Sequence, residues 1–173
     1  MDRHGFIREK LDIKILILFV LRRLPAPVSI ETLFDLVFVD GGFDYFEFTQ
    51  CLTELVETEH IINDEDGYKI SPKGADHGDT VERSIPYSVR EKAERTAEPL
   101  INKMKRDALI GTTHETLPDG TCRINLSLSD GVGEIISLSL IGQGQEQAEI
   151  IKNNFRKDAE GYYLKIIKLL SEK

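Results

Sequence analysis

Apolar side chains along the chain fall into a few periodic runs, and these predict most of the elements. From about Lys10 to Leu24, Leu11, Ile15, Leu18 and Phe19 recur at helical spacing, while Leu16, Ile17, Val20 and Leu21 widen the apolar face. A helix this apolar belongs near the middle of its domain, and Pro25-Ala26-Pro27 ends it, since proline cannot donate a backbone bond and disfavours helix in the residue before it. Ser29 is a predicted N-cap for a short helix through Ile30, Leu33, Phe34 and Val37, closed by Asp40-Gly41-Gly42. Asp44 is a predicted cap for a third helix, whose buried stripe is Phe48, Cys51, Leu52, Leu55 and Val56 and whose end falls near Glu57 to Glu59. Two β-prone runs follow, His60 to Asn63 and Tyr68 to Ile70, and the acidic turn Asp64-Glu65-Asp66-Gly67 between them is a hairpin signal.

Ser71 to Arg83 is polar and is expected to end this domain. Pro86 suits the start of a long charged helix reaching about Asp107, with Val89, Ala93, Ala97, Leu100, Ile101 and Met104 on its apolar side. Pro99 lies within it and is expected to kink or split it. Beyond it, Ala108 to Leu117, Thr121 to Leu128 and Glu134 to Ile141 read as strands separated by Pro118-Asp119-Gly120 and Asp130-Gly131-Val132-Gly133. In the second of these Cys122, Ile124, Leu126 and Leu128 face one way and Arg123, Asn125 and Ser127 the other, as in a sheet with one wet face. Two helices then close the pattern, Gln145 to Lys157 and Asp158 to Leu170, with Ile150, Ile151, Phe155, Tyr163, Ile166, Ile167 and Leu170 as core candidates.

The expected fold class is therefore α+β. Residues 1–83 form a winged helix-turn-helix domain, 84–107 a long linker helix, and 108–173 a small α+β domain made of a three-stranded antiparallel meander with two helices. The tract Leu52-x-x-Leu55-Val56, then Ile61-Ile62, Asp66-Gly67-Tyr68-x-Ile70-Ser71-x-x-Gly74, resembles the third helix, wing and exit turn of bacterial winged-helix transcriptional regulators. Over nearly its full length the chain also resembles a bacterial family defined only as a domain of unknown function, in which Ile85-Pro86 has its counterpart at the opening of a helix. What the resemblance implies is architecture; its motifs are structural and carry no catalytic residue over.

Composition narrows the function classes. No apolar run approaches the ~20 residues that span a membrane, and the acidic residues Asp2, Glu9 and Asp12 near the start argue against a signal peptide, so a cytoplasmic protein without membrane association is expected. The two cysteines, Cys51 and Cys122, form no Cys-x-x-Cys pair and suit buried thiols in a reducing compartment. His4, His60, His77 and His114 share no ligand spacing; His77 with Asp76 and Asp79 is the nearest approach to a metal cluster, and no metal or other cofactor is expected. No glycine-rich phosphate loop or nucleophile elbow occurs, and the carboxylates lie in polar settings, so no enzymatic activity is expected.

In a winged helix the third helix enters the major groove, which makes Tyr45, Thr49, Gln50 and Thr53 the candidate base-reading residues, with Lys69 and Lys73 beside the wing as phosphate contacts. The leading expectation is a dimeric DNA-binding transcriptional regulator. Charge opposes it. Residues 1–80 carry 8 basic and 16 acidic side chains, and Asp44 to His60 holds five acidic residues and no Lys or Arg. Phosphate contacts supply most non-specific DNA affinity, so an acidic reading helix and wing favour the alternative, a protein-protein interaction module that does not bind DNA. A candidate basic surface lies on the long helix at Arg90, Lys92, Arg95, Lys103, Lys105 and Arg106, which is also where a homodimer contact is expected. In the last domain Arg123, Asn125, Ser127, Ser137 and Ser139 are candidate effector contacts or simply the wet face of the sheet.

Overall fold

A computed structural model describes residues 6–172; Asp2 and His4 lie outside them. The fold is α+β, with seven helices and two small antiparallel sheets among the described residues, divided into two compact units at residues 104 and 105.

In the first unit α1 (Lys10–Leu21) buries eight of its twelve residues, from Ile13 and Ile15 through Leu21. A helix that is apolar on every side must be enclosed on every side. Here α2 (Ile30–Val37), α3 (Tyr45–Glu57) and α4 (Pro72–Val81) pack against it, together with a single 3-10 turn (Glu82–Ser84) and one strand of a hairpin. Leu11 alone of its large apolar side chains stays exposed. Ser29 caps α2 by accepting from the Thr32 amide, and Asp44 caps α3 in a reciprocal box, in which Asp44 accepts from the Glu47 amide and the Glu47 carboxylate from the Asp44 amide.

The hairpin joins β1 (Ile61–Asp64) to β2 (Gly67–Ile70), with Ile61 opposite Ile70 and Asp64 opposite Gly67. Val28 adds a short third rung by exchanging backbone bonds with Tyr68. Gly67 is required there twice over. Its φ is +117°, and a Cβ would stand 2.5 Å from the Val28 carbonyl oxygen. At the end of α3 the His60 amide bonds to the Leu55 carbonyl and the Glu59 amide to that of Val56, a Schellman ending with Glu59 at φ 62° where glycine is usual.

The polar stretch expected to close the domain is instead a helix. Ser71 caps α4 by accepting from the Gly74 amide, and Pro72 occupies its first position. The residues that α4 buries are Gly74 and Gly78, which a hydrophobic pattern cannot register. Gly74 lies so close to the His60 carbonyl that a Cβ would fall 2.0 Å from its oxygen. Arg22 clamps α4 and the 3-10 turn through Asp79 (2.6 Å) and Glu82 (2.9 Å), and Arg23 reaches Glu82 and Glu94 while lying 3.5 Å over the Phe19 ring. The long helix α5 (Tyr87–Ala108) buries Val89, Ala93 and Ala97 in the same core and runs unbroken through Pro99. Arg95 and Pro99 are both exposed, so water can satisfy the Arg95 carbonyl that proline leaves without a donor.

The second unit is a meander of β3 (Ile110–Thr116), β4 (Cys122–Ser129) and β5 (Glu134–Gly142) in that order, with Thr112 opposite Leu126 and Leu126 opposite Leu138. Alternation in β4 is as expected: Cys122, Ile124, Leu126 and Leu128 are buried. Helices α6 (Gly144–Lys157) and α7 (Ala159–Ser171) follow, and α6 lies mainly on β3 and β4. Of the core candidates Phe155 is buried and Ile151 and Tyr163 pack against the core, whereas Ile150, Ile167 and Leu170 face solvent.

Two substitutions test this local geometry by chemical denaturation. Gly74→Ala forces a Cβ against backbone and is expected to destabilise by about 1–3 kcal/mol, whereas Gly133→Ala, with open space around it, is expected to stay within about 0.5 kcal/mol of wild type. Glu59→Gly relieves a left-handed residue and is expected to stabilise by about 1 kcal/mol; a destabilised variant would refute the Schellman assignment.

Candidate macromolecular interface

The first unit presents α3 and the β1–β2 hairpin as its most distinctive surface. The buried stripe Phe48, Cys51, Leu52 and Leu55 anchors α3, so its opposite side faces solvent. Beneath its first turn lies an aromatic cluster in which Phe34 meets Tyr45 (5.0 Å, edge-on), Phe48 (5.2 Å) and Phe38 (5.0 Å, stacked). Offset and edge-on pairs of this kind fix ring positions beyond what area burial alone provides. Tyr45 is thus half-exposed but held in place, while Phe46 is 74% exposed. Phe46 lies two residues before Phe48 and so off the buried stripe, which is the one sign of its exposure that the sequence carries.

The predicted base-reading residues are gathered on this face with unequal freedom. Gln50 and Thr53 are exposed and Thr49 is half-buried. The Thr49 hydroxyl donates to the Phe46 carbonyl and that of Thr53 to the Thr49 carbonyl, both at 2.9 Å, so each hydroxyl proton is used within the helix. Only their oxygen lone pairs remain for a partner.

Both predicted phosphate contacts are engaged internally. Lys69 pairs across the hairpin with Asp64 at 2.5 Å, and the hydrogen bond from Lys69 holds the Asp64 carboxyl below its ordinary range while Asp64 holds the lysine above its own. Lys73 donates to the Thr58 carbonyl at 2.8 Å, at the negative end of α3. Lys10 and Lys14, on α1, reach Glu54, and Lys14 lies 2.6 Å from it. Glu57, Glu65 and Asp66 are exposed; Glu57 and Glu65 have no basic partner among the described residues, and Asp66 acts on Lys69 only through its charge.

The candidate basic surface is divided between the units. Arg90, Lys92, Arg95 and Lys103 belong to the first and Lys105 and Arg106 to the second. Arg95 pairs with Glu91 at 3.2 Å, and Arg90 is partly buried with its guanidinium 5.8 Å from the Tyr87 ring centre. Lys92, Lys103, Lys105 and Arg106 are exposed.

A pair that the sequence did not suggest sits beside this interface. Where α4 turns back past β1, His60 Nε2 comes 2.8 Å from His77 Nδ1. One nitrogen donates and the other accepts, so the bond requires at least one neutral ring. Burial, then the charges of Lys73 and His77, hold His60 below its ordinary value. The pair borders a groove of about 600 Å³ floored by Ile15, Leu18, Leu55 and Val81. Asp76 and Asp79 do not join it as ligands, and among the described residues no three His, Cys, Asp or Glu side chains gather to hold a metal ion. Cys51 and Cys122 are buried and unpaired, and burial pushes the Cys51 thiol up, away from the reactive thiolate. In the second unit the Arg123 guanidinium is taken by Glu115, while Asn125, Ser137 and Ser139 are exposed and Ser127 is half-buried.

A family model described as "Domain of unknown function (DUF4364)" matches residues 13–170. No curated protein and no solved structure matches the chain. Among the described residues no helix is long and apolar enough to cross a membrane.

The histidine pair predicts a pH dependence with a definite sign. A histidine whose folded pKa is lowered binds fewer protons folded than unfolded, so stability rises with pH through the window between the lowered value and the ordinary ~6.5. Its contribution is fully present above ~6.5 and is lost as pH falls toward the lowered value. Urea midpoints of wild type are expected to drop between pH 7.5 and 5.5 by more than those of His60→Gln. Identical drops in the two proteins would show that His60 does not couple its protonation to folding.

Proposed function

The chain belongs to the DUF4364 family of unknown function, and we propose that its first unit is a winged helix whose α3–hairpin face binds another protein. The order α1, α2, α3, β1, β2, with the extra rung at Val28, supports the winged-helix reading. One observation carries the choice of partner. Lys69 and Lys73, the two lysines predicted as phosphate contacts, are both held by acceptors of the unit itself, as Lys10 and Lys14 are by Glu54, while Glu57, Glu65 and Asp66 stay open to solvent.

The physical consequence is a face that attracts cations and repels phosphates. A DNA contact here would first have to break the Lys69–Asp64 pair and then bring phosphate oxygens toward three open carboxylates. A protein bearing Lys or Arg meets no such obstacle. The exposed aromatics Phe46 and Tyr45 at the start of α3 supply the large rigid side chains that concentrate binding energy at protein interfaces. Fold alone does not decide between these partners, since one fold carries many sites. In this reading the chain is a cytoplasmic regulatory protein without catalytic activity, and its two free, buried cysteines suit a reducing compartment.

DNA-binding regulation is the second reading, favoured by the exposure of Tyr45, Gln50 and Thr53 on one side of α3. A paired experiment separates the two. Genomic DNA fragments are titrated at ~50 mM salt, where phosphate attraction is strong, and cell proteins are captured in parallel on wild type and on the Glu57→Lys, Glu65→Lys double variant. The proposal expects no fragment-selective DNA retention and a partner that binds wild type at least ten-fold more tightly than the variant. Fragment-selective binding that falls steeply with salt and weakens in Gln50→Ala would overturn it in favour of DNA.

A further inference from the structure

The second unit leaves two features unprotected, and both are at odds with a surface that stays in water. The first is α7. Ala159 is its one buried residue, yet Tyr162, Tyr163, Leu164, Ile166, Ile167, Leu169 and Leu170 are all apolar or aromatic. At 100° per residue Leu169, Tyr162, Ile166, Leu170, Tyr163 and Ile167 cover an unbroken arc of about 160°, and Leu164 stands about 60° further round, past Glu160 and Ser171, whereas a helix packed on one side needs roughly 100°. Leu164, Leu169 and Leu170 are 63%, 72% and 81% exposed.

The second feature is β5. The strand order β3-β4-β5 leaves its outer edge unpaired over nine residues, Glu134–Gly142. Natural sheets guard such an edge with lysine, proline or a bulge that twists it away. β5 contains no lysine and no proline, and its one irregularity, between Leu128 and Ser129 of β4, falls at its start. Because α6 lies mainly over β3 and β4, the inner side of β5 is only partly covered: Ile136 and Leu138 pack against the core, whereas Leu140 is exposed. Leu138 and Leu140 there line an apolar groove of about 440 Å³ with Ile151, Phe155, Tyr162 and Ile166.

We propose that a second copy of this chain docks on the second unit along β5 and α7, through a two-fold axis that pairs the two β5 edges antiparallel. Three observations select that occupant. A small apolar ligand could fill the groove but would leave the β5 backbone edge and Leu164, beyond the flank of the α7 arc, uncovered. An antiparallel edge strand is complementary to its own copy, so a two-fold contact uses both β5 edges at once and leaves only the β3 edges at the ends of the joined sheet. The unit is also close to neutral, with 9 basic and 10 acidic residues in 105–173 against 13 and 20 in 1–104, so two copies meet with little repulsion at this surface.

The test uses the full chain. Sedimentation velocity from 1 to 100 µM is expected to show a dimer of about 39 kDa, twice the 19.6 kDa chain. Leu140→Lys and Leu164→Glu, both at exposed positions and checked by circular dichroism for an unchanged fold, are each expected to weaken dimerisation at least ten-fold. Hydrogen exchange supplies an independent reading, since amides in 134–142 are expected to be protected in the wild-type dimer and to exchange faster in Leu140→Lys. A wild type that is monomeric throughout would overturn the proposal, whether the face is then bare or holds an apolar small molecule visible by native mass spectrometry. A dimer that survives both variants with β5 exchange unchanged would also overturn it, by placing the contact elsewhere.

Discussion

Enclosure of α1 is the constraint from which the first unit follows. Eight consecutive or nearly consecutive buried residues leave the helix no side that can face water, so the chain must return to it repeatedly: α2 and α3 on the way out, then β2, α4 and the 3-10 turn. Each return needs a defined start or end, and each has a local cause: the N-caps Ser29, Asp44 and Ser71, or the Schellman ending at Glu59. Arg22 and Arg23, at the end of α1, convert the last turn into a polar clamp where the apolar pattern runs out.

Most of this was readable from the amino-acid pattern because large apolar side chains at a regular period are what burial requires. α1, α2, α3, the hairpin and the meander all announce themselves that way. α4 does not, since its buried side is made of Gly74 and Gly78, and close backbone approach leaves no hydrophobic trace. Its start was nonetheless written in the sequence as Ser71-Pro72, a cap followed by a first-turn proline. The His60–His77 pair was hidden for a related reason: residues seventeen positions apart meet only because α4 exists. In the second unit the pattern overcounted the core, placing Ile150, Ile167 and Leu170 inside where the folded unit leaves them in water. Periodicity reports that a side chain is apolar, not which molecule will cover it.

The α3–hairpin face illustrates how a sequence can place residues on a surface and miss their state. Lys69 and Lys73 lie beside the hairpin, as their positions imply. Their availability is decided by neighbours that spacing alone does not weigh: Asp64 across a two-residue turn, and the carbonyl of Thr58 at a helix end. A formal charge count treats those lysines as free cations, whereas each is already part of the fold's own electrostatics.

That arrangement has an evolutionary consequence. Phe48, Cys51, Leu52 and Leu55 hold α3 from beneath, while Glu57, Glu65 and Asp66 touch nothing in the core. Exposed charges can therefore be exchanged at almost no cost in stability, each within a few tenths of a kcal/mol. Drift among descendants of this scaffold can thus rewrite what the face attracts in one or two replacements, with the enclosure of α1 untouched. On the proposed reading, selection on folding and selection on recognition fall on separate residues, so the first can stay strict while the second wanders.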